Sequence, residues 1–315
     1  MMHRRSSGVC SRNLRRWTAS RCTWLGCGTT SNRYLYAAIP ASNQIVIYRE
    51  DPNAGVLTQL AGSPVTAGQA VQSLVLHPSN KFLYAANSGS NNISLYAIGS
   101  DGSIAEITPR TNAGTAPTLL VMDSAGTYLY AANSGSFDIS VFSIDQSSGA
   151  LTPITQATGG TTAPIGITPI NMKLSSSGNL YVTGSGLQGF IEEFPVTAGV
   201  LGEPVAGSPF LTGNAPYGLA IDAAGTFLYT GNNVDSTISE FAINADGSLT
   251  ELAGSPIGES FVGPVNLLID NSGKYLYVAN QSSSNIAAYS IGTDGTLTLL
   301  TSSPFGSAGR PLTMP

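Results

Sequence analysis

Lys274-Tyr275-Leu276-Tyr277-Val278-Ala279-Asn280 is the stretch on which the fold turns. Variants of it occupy residues 33–38, 81–87, 127–133, 179–184 and 226–232. The second tyrosine recurs at 36, 84, 130, 181, 229 and 277, so the spacings are 48, 46, 51, 48 and 48 residues. A period near this value marks an array of small β units. The same signals surround each copy. An apolar run comes first, as in Leu119-Leu120-Val121-Met122 and Asn266-Leu267-Leu268-Ile269, and suits a strand buried on both faces. A turn follows, such as Asp222-Ala223-Ala224-Gly225, where Asp bonds its own backbone and Gly accepts a positive φ. The Tyr-Leu-Tyr strand then ends in Asn-Ser-Gly, as at Asn87-Ser88-Gly89. An alternating third strand, such as Ile238-Ser239-Glu240-Phe241-Ala242-Ile243, leads into Asp246-Gly247, a strong hairpin signal repeated at Asp101-Gly102 and Asp294-Gly295. A short fourth strand stops at Gly-Ser-Pro (Gly62-Ser63-Pro64, Gly207-Ser208-Pro209, Gly254-Ser255-Pro256), because proline lacks the N–H that a ladder needs. No 3.6-residue periodicity appears. The chain therefore reads as all-β: a β-propeller of four-stranded antiparallel blades, with six repeats visible.

The repetition also assigns the tyrosines. A ligand site needs a given group once, whereas blade packing needs it in every blade. Six copies at one offset therefore point to the core. A buried aromatic removes about 150–250 Å² from water, roughly 4–6 kcal/mol gross as an upper bound. Ring closure has two readings. The pattern opens at a second strand, with Tyr34, and stops at Pro311-Leu312-Thr313-Met314-Pro315, which aligns with the start of a first strand. Either Leu312 to Met314 complete the first blade, pairing the N- and C-terminal segments into a six-bladed ring, or a seventh blade is missing.

Residues 31–315 form the propeller in this reading, and residues 1–30 differ from it in kind. They hold all three cysteines, Cys10, Cys22 and Cys27, both tryptophans and no acid. The spacing of the cysteines matches no metal site, and none is expected. Seven arginines, Arg33 among them, precede residue 34, so the region from there carries a net charge of −12 against −5 for the whole chain. A body this acidic repels nucleic acid and anionic lipid. No apolar run is long enough to span a membrane. Leu25-Gly26-Cys27-Gly28 has the form of a lipoprotein signal end, with Trp24 where that pattern prefers Leu. The leader thus reads as a degraded export or lipoprotein signal, with Cys27 as its lipidation site and the cell envelope or periplasm as destination. A disordered cytosolic tail is the competing reading.

The Asp-x-x-Gly turn, Tyr-Leu-Tyr-Val-Ala-Asn, Ile-Ser-x-Tyr, Asp-Gly-x-Leu-Thr and Gly207-Ser208-Pro209-Phe210 together resemble the seven-bladed β-propeller lactonases, the 6-phosphogluconolactonase-like proteins with Tyr-Val-Thr-Asn repeats. The resemblance covers the chain from Ser31 onward and implies the fold strongly and the activity weakly, since the matching residues are scaffold. It implies a sugar lactone as ligand class and no cofactor. It also implies that ligands enter on the face carrying the Asn-Ser-Gly turns and the loops between blades. The inner-strand entry positions on that face are Gln72, Thr118, Ile170, Tyr217, Val265 and Leu312, followed by Ser73, Leu119, Asn171, Gly218, Asn266 and Thr313. None is an acid or a base. The two histidines are His3, in the leader, and His77, in a turn position. Hydrolysis needs a base to activate water and donors for the oxyanion, so no catalytic residue is assigned.

Arg110 and Arg310 fall between blades, and with Asn171, Asn266 and Tyr217 they make a candidate anion site, since arginine grips a carboxylate or phosphate through two parallel bonds. The first functional reading is a ligand- or partner-binding module at the envelope. The second is a hydrolase of a sugar lactone such as 6-phosphogluconolactone. A quinone- or haem-dependent oxidoreductase is disfavoured, because the body holds no Trp, no Cys and only His77.

Overall fold

The computed structural model describes residues 24–29, 32–185, 188–258, 262–307 and 311. The six repeats fold into six antiparallel sheets, each wound outward from an inner strand. The inner strands are Trp24–Thr29, Val71–Leu76, Pro117–Met122, Pro169–Leu174, Pro216–Ile221 and Pro264–Ile269. The second strands carry the Tyr-Leu-Tyr copies: Asn32–Ile39, Phe82–Asn87, Tyr128–Asn133, Asn179–Ser185, Phe227–Asn232 and Tyr275–Asn280. Third strands follow at Gln44–Glu50, Asn92–Ile98, Asp138–Ile144, Gly189–Thr197, Thr237–Ile243 and Asn285–Ile291.

The outer edge shows what Gly-Ser-Pro does. In five blades the outer strand is broken into two pieces that both pair with the third strand, as Leu249–Glu251 and Ile257–Gly258 do in the fifth. Gly-Ser-Pro lies in the break in the first, fourth and fifth blades and Ser302-Ser303-Pro304 in the sixth, while the third blade breaks without either. In those four blades the serine Oγ accepts a third-strand N–H that has lost its ladder partner: Ile47 N to Ser63 (2.8 Å), Glu193 N to Ser208 (3.2 Å), Glu240 N to Ser255 (2.9 Å) and Ala288 N to Ser303 (2.9 Å). The second blade's outer strand runs from Ile104 to Asn112, with its pairing skipping from Ile107 to Thr111.

The core lies between blades. Five hydrophobic clusters fill the five successive interfaces, one cluster to each. Tyr36, Tyr84, Tyr130, Tyr181 and Tyr229 are fully buried there. Four of them also lock onto the neighbouring blade. The hydroxyl donates to a glycine carbonyl in that blade's third-to-fourth-strand turn: Tyr36 to Gly102 (3.0 Å), Tyr84 to Gly149 (2.7 Å), Tyr181 to Gly247 (2.8 Å) and Tyr229 to Gly295 (2.7 Å). The preceding ring lies against the same turn, so a Cβ at Gly102 would strike the Tyr34 ring and one at Gly295 the Phe227 ring.

The first blade takes its inner strand from Trp24–Thr29, paired in register with the strand that follows it. The propeller thus begins inside the stretch the sequence reading gave to the leader. Leu25-Gly26-Cys27-Gly28 lacks the apolar run that marks the other inner strands, so the pattern did not reveal it. Leu312 to Met314, the alternative first strand, lie outside the described residues. Among the described residues no hydrophobic cluster joins the sixth blade to the first. At that seam Tyr275 is 38% exposed and Tyr277 half-buried, while Leu57, whose counterpart Leu249 is buried, is 43% exposed. Gly55, in the turn that a tyrosine would lock onto, has no neighbouring ring.

Candidate functional site

Inner strands line the axial channel, and each of the last five carries the same irregularity. The pairing register shifts after the first residue, between Val71 and Ser73, Pro117 and Leu119, Pro169 and Asn171, Pro216 and Gly218, and Pro264 and Asn266. The skipped residues are Gln72, Thr118, Ile170, Tyr217 and Val265. A bulge of this kind re-aims one side chain out of the ladder. Four of the five, Gln72, Thr118, Ile170 and Tyr217, line one cavity of about 500 Å³, with Ser134, Thr168 and Pro169. The loops just before these strands are bent: Ala70, Ala116 and Ala215 all have φ of 50–55°, a conformation few non-glycine residues adopt. Strain of this kind gathers at ligand sites. The cavity lining is neutral. Hydroxyls and one amide face a pocket of sugar size, with the Tyr217 ring as an apolar wall.

The residues proposed from sequence separate in space. Tyr217 lines the cavity. Asn171 stands beside it, but its amide holds two blades together: Nδ2 donates to the Tyr217 carbonyl (2.7 Å) and Oδ1 accepts from Met172 N (2.8 Å). Asn266 has the equivalent register position in the sixth blade and is not part of this lining. Arg110 is not in a blade-joining loop. It sits in the unbroken outer strand of the second blade, and Glu106 grips it through two bonds, Nε to Oε1 at 2.7 Å and a terminal nitrogen to Oε2 at 3.2 Å. That pairing raises the guanidinium's pKa further. Arg110 lies where the pairing of the outer strand skips from Ile107 to Thr111, and its guanidinium is turned to Glu106 on the same strand rather than to Asn171 or Tyr217. Arg310 lies outside the described residues. Cys27 has its backbone in the first inner strand, opposite Tyr34.

His77 is a turn residue. It is buried, with Nδ1 2.8 Å from Ser79 Oγ and Nε2 3.0 Å from the Gly126 carbonyl of the next blade. A carbonyl only accepts, so the proton sits on Nε2. Among the described residues no three His, Cys, Asp or Glu side chains converge on a metal site.

The opposite mouth holds what the sequence reading missed. Inner-strand ends and turns of the third to sixth blades line a cavity of about 620 Å³, and among the described residues Lys173 is the one cation in its lining. Its side chain is exposed in the funnel, where partial loss of hydration shifts its pKa downward. The aspartates at the rim have their oxygens engaged by their own turns. Asp123 accepts from Tyr128 N (2.6 Å), and Asp222 from Thr226 N (2.6 Å) and Phe227 N (2.7 Å). A signal was present: Lys173 occupies the inner-strand position that is Val75, Val121, Ala220 and Leu268 in its sister blades.

A radial array of four-stranded blades with a cavity at one mouth of its axis defines the class: a β-propeller. The chain belongs to the lactonase family of seven-bladed β-propellers, whose description it matches over residues 29–165 and 204–311. Curated proteins offer no match. Solved structures do. A candidate 6-phosphogluconolactonase from Bacteroides fragilis superposes with a TM-score of 0.74 at 20% identity, over 92% of this chain and 85% of that one. A second candidate 6-phosphogluconolactonase, from Bacteroides uniformis, gives 0.76 at 19% identity, over 92% and 86%. The periplasmic gluconolactonase PpgL of Pseudomonas aeruginosa gives 0.72 at 20% identity, over 92% and 86%. At these identities the likeness is one of fold. The described residues form six blades where the family description has seven.

Proposed function

We propose that this chain binds a small sugar lactone, or the acid it opens to, at the neutral mouth of the channel, and that it acts as a binding module there. The carrying observation is the composition of that pocket: Gln72, Thr118 and Tyr217 supply polar edges and an aromatic wall, and among the described residues no acid or base lines it. Sugars are held by such groups, whereas opening a lactone needs a general base and oxyanion donors. The names of the three structural neighbours given above favour a second reading, hydrolysis of a sugar lactone such as 6-phosphogluconolactone.

Calorimetric titration with glucono-δ-lactone and gluconate, beside a hydrolysis assay corrected for the background reaction, separates the two. Binding that weakens on the order of tenfold in Tyr217→Ala, a loss of about 1.4 kcal/mol, with no rate above background, supports the binding module. Hydrolysis above background that Tyr217→Ala abolishes establishes the hydrolase. Absence of binding removes both.

A location outside the cytoplasm, and with it an envelope partner, is part of the same reading. It is supported by the arginine-rich leader and by a periplasmic neighbour. Lipid on Cys27 is a separate matter. Cleavage before Cys27 would remove Trp24, Leu25 and Gly26 from a six-residue strand that pairs with Asn32–Ile39. The intact mass of the native protein decides: a chain that begins at lipidated Cys27 confirms the anchor, and one that retains Trp24 excludes it.

A further inference from the structure

We propose that the crevice between the outer edges of the third and fourth blades is a binding site for a small organic cation, an alkylammonium, with Glu192 as its counter-ion. The starting point is a clamp that the fourth blade lacks. In the second, third and fifth blades an asparagine ends the second strand and its Nδ2 donates to a third-strand serine: Asn87 to Ser94 (3.0 Å), Asn133 to Ser140 (2.9 Å) and Asn232 to Ser239 (2.9 Å). All of these side chains are buried. A glycine of the preceding loop closes over each asparagine, since a Cβ at Gly68, Gly114 or Gly213 would strike its amide. In the fourth blade the register puts Gly184 at the asparagine position and Glu192 at the serine position. The loop glycine there is Gly166, and among the described residues nothing lies within 4 Å of where its Cβ would stand.

A cavity of about 360 Å³ takes the place of the clamp. Phe194, Leu201, Ile165 and Pro164 give it apolar walls. Glu192 lines it half-buried, and its Oε2 is shielded from solvent with no hydrogen-bond partner among the described residues. A buried carboxylate oxygen left without a donor is costly, and such a group calls for a partner. The nearby amide cannot serve. Gln156 is spent on backbone: Oε1 accepts from Leu201 N (3.0 Å), and Nε2 donates to the Ile154 carbonyl (3.2 Å). Among the described residues no cation lines the cavity, and its other titratable group, Glu203, is exposed. A carboxylate beside an aromatic ring and aliphatic walls suits an ammonium on a short alkyl stem. The charge meets Glu192 and the ring, and the stem covers the walls. A hard metal ion asks for six or so oxygens, and among the described residues no three acids gather here or elsewhere.

The test uses the full-length protein with methyl-labelled alanine and isoleucine, so that Ala163 and Ile165 report from the cavity wall by NMR. It is titrated with butylammonium chloride, with butanol, which keeps the stem and drops the charge, and with ammonium chloride, which does the reverse. The expected result is saturable shifts at both residues with butylammonium. Binding should be weaker on the order of tenfold for butanol, for ammonium and in Glu192→Gln, the scale of one lost bond to a charged group. Glu203→Gln should bind as the parent does. Affinity should also fall as pH drops through about 7, the value to which burial raises Glu192, because the amine stays charged while the carboxylate takes up a proton. Absence of a saturable shift overturns the proposal and leaves the carboxyl to water or a proton. Equal affinity for butanol overturns it too, showing an apolar crevice without charge recognition. So does parental affinity in Glu192→Gln. If that variant does not fold, the pH series on the parent chain decides, and an affinity that stays flat from about pH 6 to pH 8 overturns the site. The crevice lies on the outer edge, so none of these outcomes bears on lactone binding at Tyr217.

Discussion

Single side chains in this propeller hold stress as well as packing. Glu193 lies fully buried at the interface of the fourth and fifth blades, in the third-strand position that is Val141 or Leu95 elsewhere, and neither carboxylate oxygen meets a hydrogen-bond partner. Burial pushes its pKa up to about 7. Glu240 occupies the same position one blade on. There the next blade supplies a donor, Leu297 N at 2.8 Å, and burial again raises the pKa. The folded state holds the Glu193 proton more tightly than the unfolded chain does. Its contribution is therefore fully present below about pH 4.3, the unfolded value, and is lost as pH rises through about 7. Glu193→Gln keeps the shape and removes the charge. Urea denaturation should show it more stable than the parent by about 2–3 kcal/mol near pH 8 and little different near pH 4. Equal stabilities at both pH values would mean that water reaches this carboxylate.

Elements here are shaped by what interrupts them. The inner strands slip register by one residue at their entry, and that slip turns Gln72, Thr118, Ile170 and Tyr217 into the channel. In four blades the outer strand breaks at a Ser-Pro pair, and the serine takes over the lost backbone bond. Ser255→Ala should leave Glu240 N without its acceptor and cost about 1–2 kcal/mol in chemical denaturation, the usual loss for one orphaned buried donor. A change below about 0.3 kcal/mol, within ordinary surface variation, would show the serine to be a bystander. The second blade is the informative exception. Its outer strand is one piece whose pairing skips Thr108, Pro109 and Arg110, and Arg110 there pairs with Glu106.

Across the whole molecule stability is a sum of neighbour interfaces, as in other repeat architectures, and the seam between the sixth and first blades is where the sum stops. Tyr229 and Tyr277 occupy the same place in adjacent repeats. Tyr229 is buried and donates to Gly295; Tyr277 is half-buried at the seam. Tyr229→Ala should cost about 3–5 kcal/mol, whereas Tyr277→Ala should cost roughly 1 kcal/mol, as partly exposed sites do. Equal losses in thermal or urea unfolding would show that another surface covers the seam in solution. The sequence by itself determined the propeller, the order of strands within a blade and the core role of the tyrosines, because each depends on contacts that recur at one period and are written into every copy. It also named the channel-mouth residues, since strand parity fixes which positions share a face. Only the tertiary structure decided what each blade does to its neighbour: the tyrosine lock on glycine, the first blade's strand at Trp24–Thr29, the pairing of Arg110 and the cavity that Lys173 lines. These depend on which two copies meet across an interface, and a residue's burial and charge there are set by its partner blade, about which a local pattern carries no information.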